Sequence, residues 1–124
     1  MILFCHAKSA DIDVWWALQT SYDVEKIVTA QSESLESVRA THPDHEVVWF
    51  MPEPRDRDFI WLNDFEHPEK AIYVFGPETQ TVLQPPDGDP IVAIEVATKN
   101  ITIFSATAAA IVLYHRHLNQ GTNQ

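Results

Sequence analysis

The apolar run AIYVF (71–75) stops at Gly76-Pro77, and a carboxylate, Glu78, follows at once. A strand ending in Gly-Pro-Glu brings backbone N–H and C=O groups and one acid to a single corner. That equipment can hold a polar ligand as well as turn the chain. Asp11 is a second carboxylate, placed before a helical pattern. It suits an N-cap and, like Glu78, a weak candidate for catalysis on a small substrate. His42 and His45 stand three apart in the run His-Pro-Asp-His. His115 and His117 stand two apart, which on a helix points them to different faces. Neither pair has further ligands nearby in the sequence, so both are taken as surface histidines and no metal is expected. Glu33, Glu36 and the Asp56/Asp58 run are taken as solvated faces. With three glycines in the chain, no P-loop or GxGxxG is present, and no nucleophile elbow occurs.

Periodicity supplies the elements that must position these groups. ILFC (2–5), EKIVTA (25–30), EVVWFM (46–51), AIYVF (71–75) and IVAIEV (91–96) read as strands, and FIWL (59–62) as a brief strand or a packed turn. DIDVWWALQTSYDV (11–24) predicts a helix with Val14, Leu18 and Tyr22 on one face. SESLESVRATH (32–42) predicts a short helix capped by Ser32, with Leu35 and Val38 inward. SATAAAIVLYHRHLNQ (105–120) predicts the longest helix, with Ser105 as N-cap and Gly121 as stop. Alternating elements and continuous apolar strands indicate an α/β fold. Its sheet is mostly parallel, five- to six-stranded, and flanked by helices. In open α/β sheets ligands bind beyond the carboxyl ends of strands, and Gly76 and Val96 stand at two such ends.

The 124 residues suit one domain, spanning 1–120, with a frayed tail at 121–124. No run is long and apolar enough to span a membrane, and MILFCHAKSADID lacks a basic n-region and a cleavage site. It therefore reads as a first strand, with the single cysteine, Cys5, as a buried reduced thiol in a cytoplasmic protein. Eighteen acids against eight bases give a net charge of −10, and the bases are scattered. That balance disfavours an electrostatic grip on a nucleic-acid backbone. Trp15 and Trp16 are adjacent, so on a helix one of them leaves the core stripe. An exposed tryptophan on a small acidic domain suggests an interface.

Three stretches together resemble the SpoU/TrmH family of SPOUT methyltransferases, in a diverged, minimal, TrmL-like form. ILFCHAKSADIDVWWALQTSYDVEKIVTA is similar to that family's opening strand, Asn-Ile-Gly turn, helix and second strand. HPEKAIYVFGPETQTV resembles its apolar strand and Gly-x-Glu-x-x-Gly-Leu loop, and the TrmL type shares the run Phe-Gly-Pro-Glu-Thr. IVAIEVATKNITIFSATAAAIVLYHRH resembles its strand, Ile-Pro, Ser-Leu-Asn and alanine-rich last helix. The resemblance implies a C-terminal deep trefoil knot that holds S-adenosylmethionine, and methylation of RNA ribose 2′-hydroxyls in tRNA or rRNA. It implies cofactor contacts at Gly76, Ile94, Thr102 and Ile103, and at Trp49 by a looser match. It also implies a homodimer through the first and last helices, which carry Trp15 and Trp16 and, at the end of the last one, His115, Arg116 and Leu118.

The sequence departs from that pattern where the family's chemistry resides. The arginine expected six residues after the turn's Asn is Ala17, and the turn itself is Asp11-Ile12-Asp13. The Asn of Ser-Leu-Asn is Phe104, and the second loop glycine is Thr81. A methyl group at position 17 can neither activate a hydroxyl nor steer a phosphate. The open alternatives are an RNA methyltransferase, a catalytically silent relative acting through cofactor or protein contacts, and a different S-adenosylmethionine-using enzyme employing Glu78 or Asp11.

Overall fold

The computed structural model describes residues 1–6, 12–54, 56–76, 85–97 and 105–121. In chain order the elements are β1 (Ile2–Cys5), α1 (Ile12–Ser21), β2 (Lys26–Thr29), α2 (Leu35–Thr41), β3 (Glu46–Phe50) and β4 (Ile60–Trp61). A 3-10 turn (Leu62–Asp64), β5 (Ala71–Phe75), β6 (Ile91–Ala93) and α3 (Ser105–Gly121) follow. The expected α/β sheet has six strands in the order β2-β1-β5-β3-β6-β4, and every described pairing is parallel. FIWL therefore contributes a short edge strand followed by a turn.

Side chains alternate between the two faces of a strand, and both faces are covered here. Leu3, Cys5, Val48, Phe50, Tyr73, Phe75 and Val92 point to one side, where Trp15 and Leu18 of α1 and Ala109, Val112 and Leu113 of α3 pack on them. Ile2, Phe4, Val47, Trp49, Ile72, Val74 and Ile91 point to the other side, against Val38 of α2. Every residue of β5 is buried because it lies between β1 and β3 with helices above and below. Two-sided burial is what makes these strands unbroken apolar runs. Cys5 lies in the first cluster, as expected of it.

Several local expectations shift. α1 turns Trp15, Leu18 and, partly, Tyr22 inward, while Val14 is 47% exposed. At 100° per residue, Trp15, Leu18 and Tyr22 fall within one narrow stripe. Burying the larger indole rotates Val14 to its margin. Ser34, not Ser32, caps α2 by accepting from the Ser37 N–H at 3.1 Å, and the Ser32 hydroxyl donates to the Thr29 carbonyl instead. β6 ends at Ala93, so its carboxyl end is marked by Ile94 and not by Val96. Ser105 is the first residue of α3 rather than a cap outside it, and Gly121 is still helical. The segments that would form the knot, 77–84 and 98–104, lie outside the described residues, as do 122–124.

Candidate functional site

The carboxyl edge of the sheet gathers the residues of interest. Phe50 of β3 is level with Phe75 of β5 on one side and with Val92 of β6 on the other. Gly76 is therefore level with Met51 and Ala93, and Ile94 lies one residue beyond. With about 4.8 Å between neighbouring strands, Gly76 and Ile94 flank the end of β3 at roughly 10 Å from each other. Phe75 and Phe50 stack at 5.1 Å between ring centroids, and Trp15 meets Phe75 at 5.8 Å, so an aromatic floor lies under this edge.

Gly76 itself is held from α3. The Ser105 hydroxyl donates to its carbonyl at 2.6 Å, tying the start of the last helix to the end of β5. Gly76 does not adopt a positive φ, and a Cβ built on it meets no described atom within 4 Å. Neither backbone strain nor crowding by the described residues calls for glycine there. A glycine at a strand end permits close approach of another group to the backbone.

His6, which sequence reasoning passed over, follows β1 directly and borders the same edge. Its Nδ1 lies 3.5 Å from the Phe75 carbonyl oxygen, and its ring meets Phe4 edge-on. Its position one residue past a buried strand was the available signal.

The other expected site residues divide. Ile94 is partly buried against the α1/α3 core. Trp49 is on the opposite face of the sheet, buried, with its indole N–H donating to Asp89 at 3.1 Å. Arg39 of α2 donates to both oxygens of that carboxylate, at 2.5 and 3.3 Å. Trp49 is thus one member of a strut that joins α2, β3 and the turn before β6. Asp11, Glu78, Thr102 and Ile103 lie outside the described residues, as do Thr81 and Phe104. Ala17 lies on the exposed side of α1. The structure accordingly brings Gly76 and Ile94 to one edge and sets Trp49 apart from them.

At the amino edge the chain builds a polar network that sequence reasoning did not see. Arg116 of α3 donates through Nη1 to the Tyr73 hydroxyl and the Pro68 carbonyl, both at 2.7 Å, and through Nη2 to the Glu69 carbonyl at 3.0 Å. His67 lies 2.5 Å from that hydroxyl through Nδ1 and 2.8 Å from His115 Nδ1 through Nε2. A guanidinium can only donate, so the Tyr73 oxygen accepts from it and gives its own hydrogen to His67 Nδ1. His67 then carries its hydrogen on Nε2 and donates it to His115. Burial foremost, then the nearby His115 and Arg116, lowers the His67 pKa to about 4. Burial lifts the Tyr73 phenol to about 12, against the pull of Arg116.

Arg116 is therefore a buried group and not part of an outer face at the end of the last helix, while the half-buried His115 lies at the rim of the network. Ala106, Ala109, Leu113 and Arg116 follow one another at helical spacing on the inward face, the sequence signal that could have placed Arg116 inside. His42 and His45 form an edge-on ring pair at 5.0 Å, and His45 is beside Asp44 and Glu25. Among the described residues no group of three or more His, Cys, Asp or Glu side chains gathers as metal ligands. No described helix is long and apolar enough to cross a membrane.

By sequence, no family model matches the chain and no curated protein does. By structure, it is similar to a candidate RNA methyltransferase from Bacillus anthracis, with a TM-score of 0.74 over 97% of this chain and 93% of that one, at 16% identity. It is also similar to TrmJ from Z. mobilis ZM4, with a TM-score of 0.66 over 93% of this chain and 66% of that one, at 13% identity. The chain shares their fold, an α/β fold with a mostly parallel sheet flanked by helices, as the sequence suggested.

Proposed function

We propose that the carboxyl edge around Gly76 and Ile94 binds S-adenosylmethionine, and that the protein is an RNA methyltransferase of the ribose 2′-O type. The observation that carries this reading is the placement of Gly76. It lies at the end of β5, its carbonyl is fixed by Ser105, and open space adjoins its α-carbon among the described residues. The neighbours in fold are described as RNA methyltransferases, which supports the reading. Gly76 and Ile94 would hold the cofactor through backbone groups, together with Thr102 and Ile103. When bound, it supplies an activated methyl group on a sulfonium. The hydrophobic floor of Phe75, Phe50 and Trp15 excludes water beneath that edge and strengthens the hydrogen bonds made above it.

The active unit we propose is a homodimer formed through the outer faces of α1 and α3. Trp16 is 50% exposed and Leu118 48% exposed, and Ile12, Val14, Ile111 and Tyr114 of the same two helices are exposed as well. Trp15, at 2% exposure, belongs to the core and supports that face from inside.

A catalytically silent, cofactor-binding protein is the second reading. It is favoured by Ala17, whose methyl on the exposed side of α1 offers no cation to an RNA, and by the net charge of −10.

Isothermal titration with S-adenosylmethionine and S-adenosylhomocysteine tests the shared premise, and methyl transfer to bulk tRNA then separates the two readings. Micromolar binding with transfer supports the enzyme, and binding without transfer supports the silent form. No heat at millimolar ligand would sink both.

A further inference from the structure

Arg116 is 6% exposed, and among the described residues no carboxylate lies within ion-pair distance of its guanidinium. Its acceptors are two carbonyls and a phenol, all neutral. A buried charge normally keeps a counter-charge, because neutral dipoles offset only part of its lost hydration. Three bonds use three of the five guanidinium hydrogens, two on Nη1 and one on Nη2. The Nε–H and the second Nη2–H are left over. No buried side-chain nitrogen among the described residues lacks a partner, so Nε is in contact with open space.

Arg116 lines a cleft of about 380 Å³ at the amino edge of the sheet, with Met1, Tyr22, Asp23, Leu113, His117 and Gln120. The volume falls within the range of small-molecule sites. The field of Arg116 reaches its wall: the Met1 amino group is held below its usual value, by burial first and by Arg116 second. The exposed Asp23 is the carboxylate on the lining. In a chain of net charge −10, a cleft with a buried cation on its wall is the opposite of the general surface.

We propose that this cleft binds a small anion, a carboxylate or phosphate group held against the two spare donors of Arg116. Guanidinium edges match the paired oxygens of both groups, and the buried setting strengthens the contact. Tyr22, His117 and Gln120 line the same cleft and offer polar groups to the rest of the ligand. The site is at the edge of the sheet opposite Gly76 and Ile94, so it does not depend on cofactor binding.

The test is a two-dimensional amide NMR titration of the full chain with sodium phosphate and, separately, sodium succinate, at constant ionic strength. Saturable shifts confined to Tyr22, Asp23, Leu113, Gln120 and the Arg116 Nε–H are expected with at least one anion. Saturation by phosphate alone assigns the site to phosphoryl groups, and saturation by succinate alone to carboxylates. Gln120→Glu puts a like charge at the exposed mouth and should weaken binding about tenfold, leaving the network beneath intact. Gln120→Lys should strengthen it. An absence of saturable shifts with either anion, or shifts indifferent to Gln120→Glu, would overturn the proposal. S-adenosylhomocysteine titrations of the Gln120 variants should match wild type, which keeps this result separate from the proposed methyltransfer site.

Discussion

The Tyr73 hydroxyl hands its hydrogen to His67 Nδ1 across 2.5 Å while accepting from Arg116, so one buried phenol orients a hydrogen-bond chain that ends at His115. Arg116 cannot accept, so the phenol hydrogen is left for His67 Nδ1, the other group within reach. Protonating His67 at Nδ1 would turn two donors toward one phenol oxygen, which is why the low His67 pKa and the network geometry agree.

This has a consequence for stability against pH. In the unfolded chain His67 titrates near 6.5, and in the folded protein at about 4. Between those values the unfolded state holds the extra proton, so stability falls as pH drops from 6.5 toward 4 and levels off below. The loss should be about 1–2 kcal/mol, less than the full shift implies because His67 keeps part of its surface in water. Urea unfolding of wild type and His67→Gln across this range should show the slope in the first and a flatter profile in the second.

Tyr73→Phe removes the phenol and leaves both Arg116 and His67 short of a partner. A cost of about 1–3 kcal/mol is expected in urea unfolding. His67 keeps its burial and its neighbours His115 and Arg116 in this variant, so NMR titration should still find its pKa well below the ordinary value.

Asp89 accepts from both Trp49 and Arg39. Asp89→Ala should destabilise by about 1–2 kcal/mol and shift tryptophan emission to the red as the Trp49 indole N–H loses its acceptor. Arg39→Ala should cost well under 1 kcal/mol, since Arg39 is substantially exposed and Trp49 keeps its bond.

Gly76→Leu separates fold from function. An added Cβ meets no described atom within 4 Å, so the variant should keep its fold, checked by circular dichroism and urea unfolding. Binding of S-adenosylmethionine should fall beyond detection. A variant that binds as wild type would remove Gly76 from the proposed site.

The two adjacent tryptophans should behave oppositely. Trp15→Ala empties the core between α1 and Phe75 and should cost about 3–5 kcal/mol. Trp16→Glu should leave the unfolding midpoint nearly unchanged but convert a dimer to monomer in sedimentation velocity. A wild type that sediments as a monomer at all concentrations would dispose of the dimer.

The repertoire of elements was legible in the chain, because strand and helix periodicities are local properties. AIYVF and EVVWF read as strands buried on both sides, and SATAAAIVLYHRH as a helix, and the structure has them so. The corner after Phe75 was legible for the same reason, since Gly-Pro ends any regular element. Tertiary structure decided what distant segments do to one another. It inserted β5 between β1 and β3, which put Gly76 and Ile94 on either side of one strand end. It chose Trp15 over Val14 by the area each could bury, and it turned Trp49 toward Asp89, 40 residues away. Arg116 and Tyr73, 43 residues apart, meet only because α3 crosses the back of β5. Such pairings depend on strand order and helix rotation, which are set by the whole core at once and leave no mark on the local sequence.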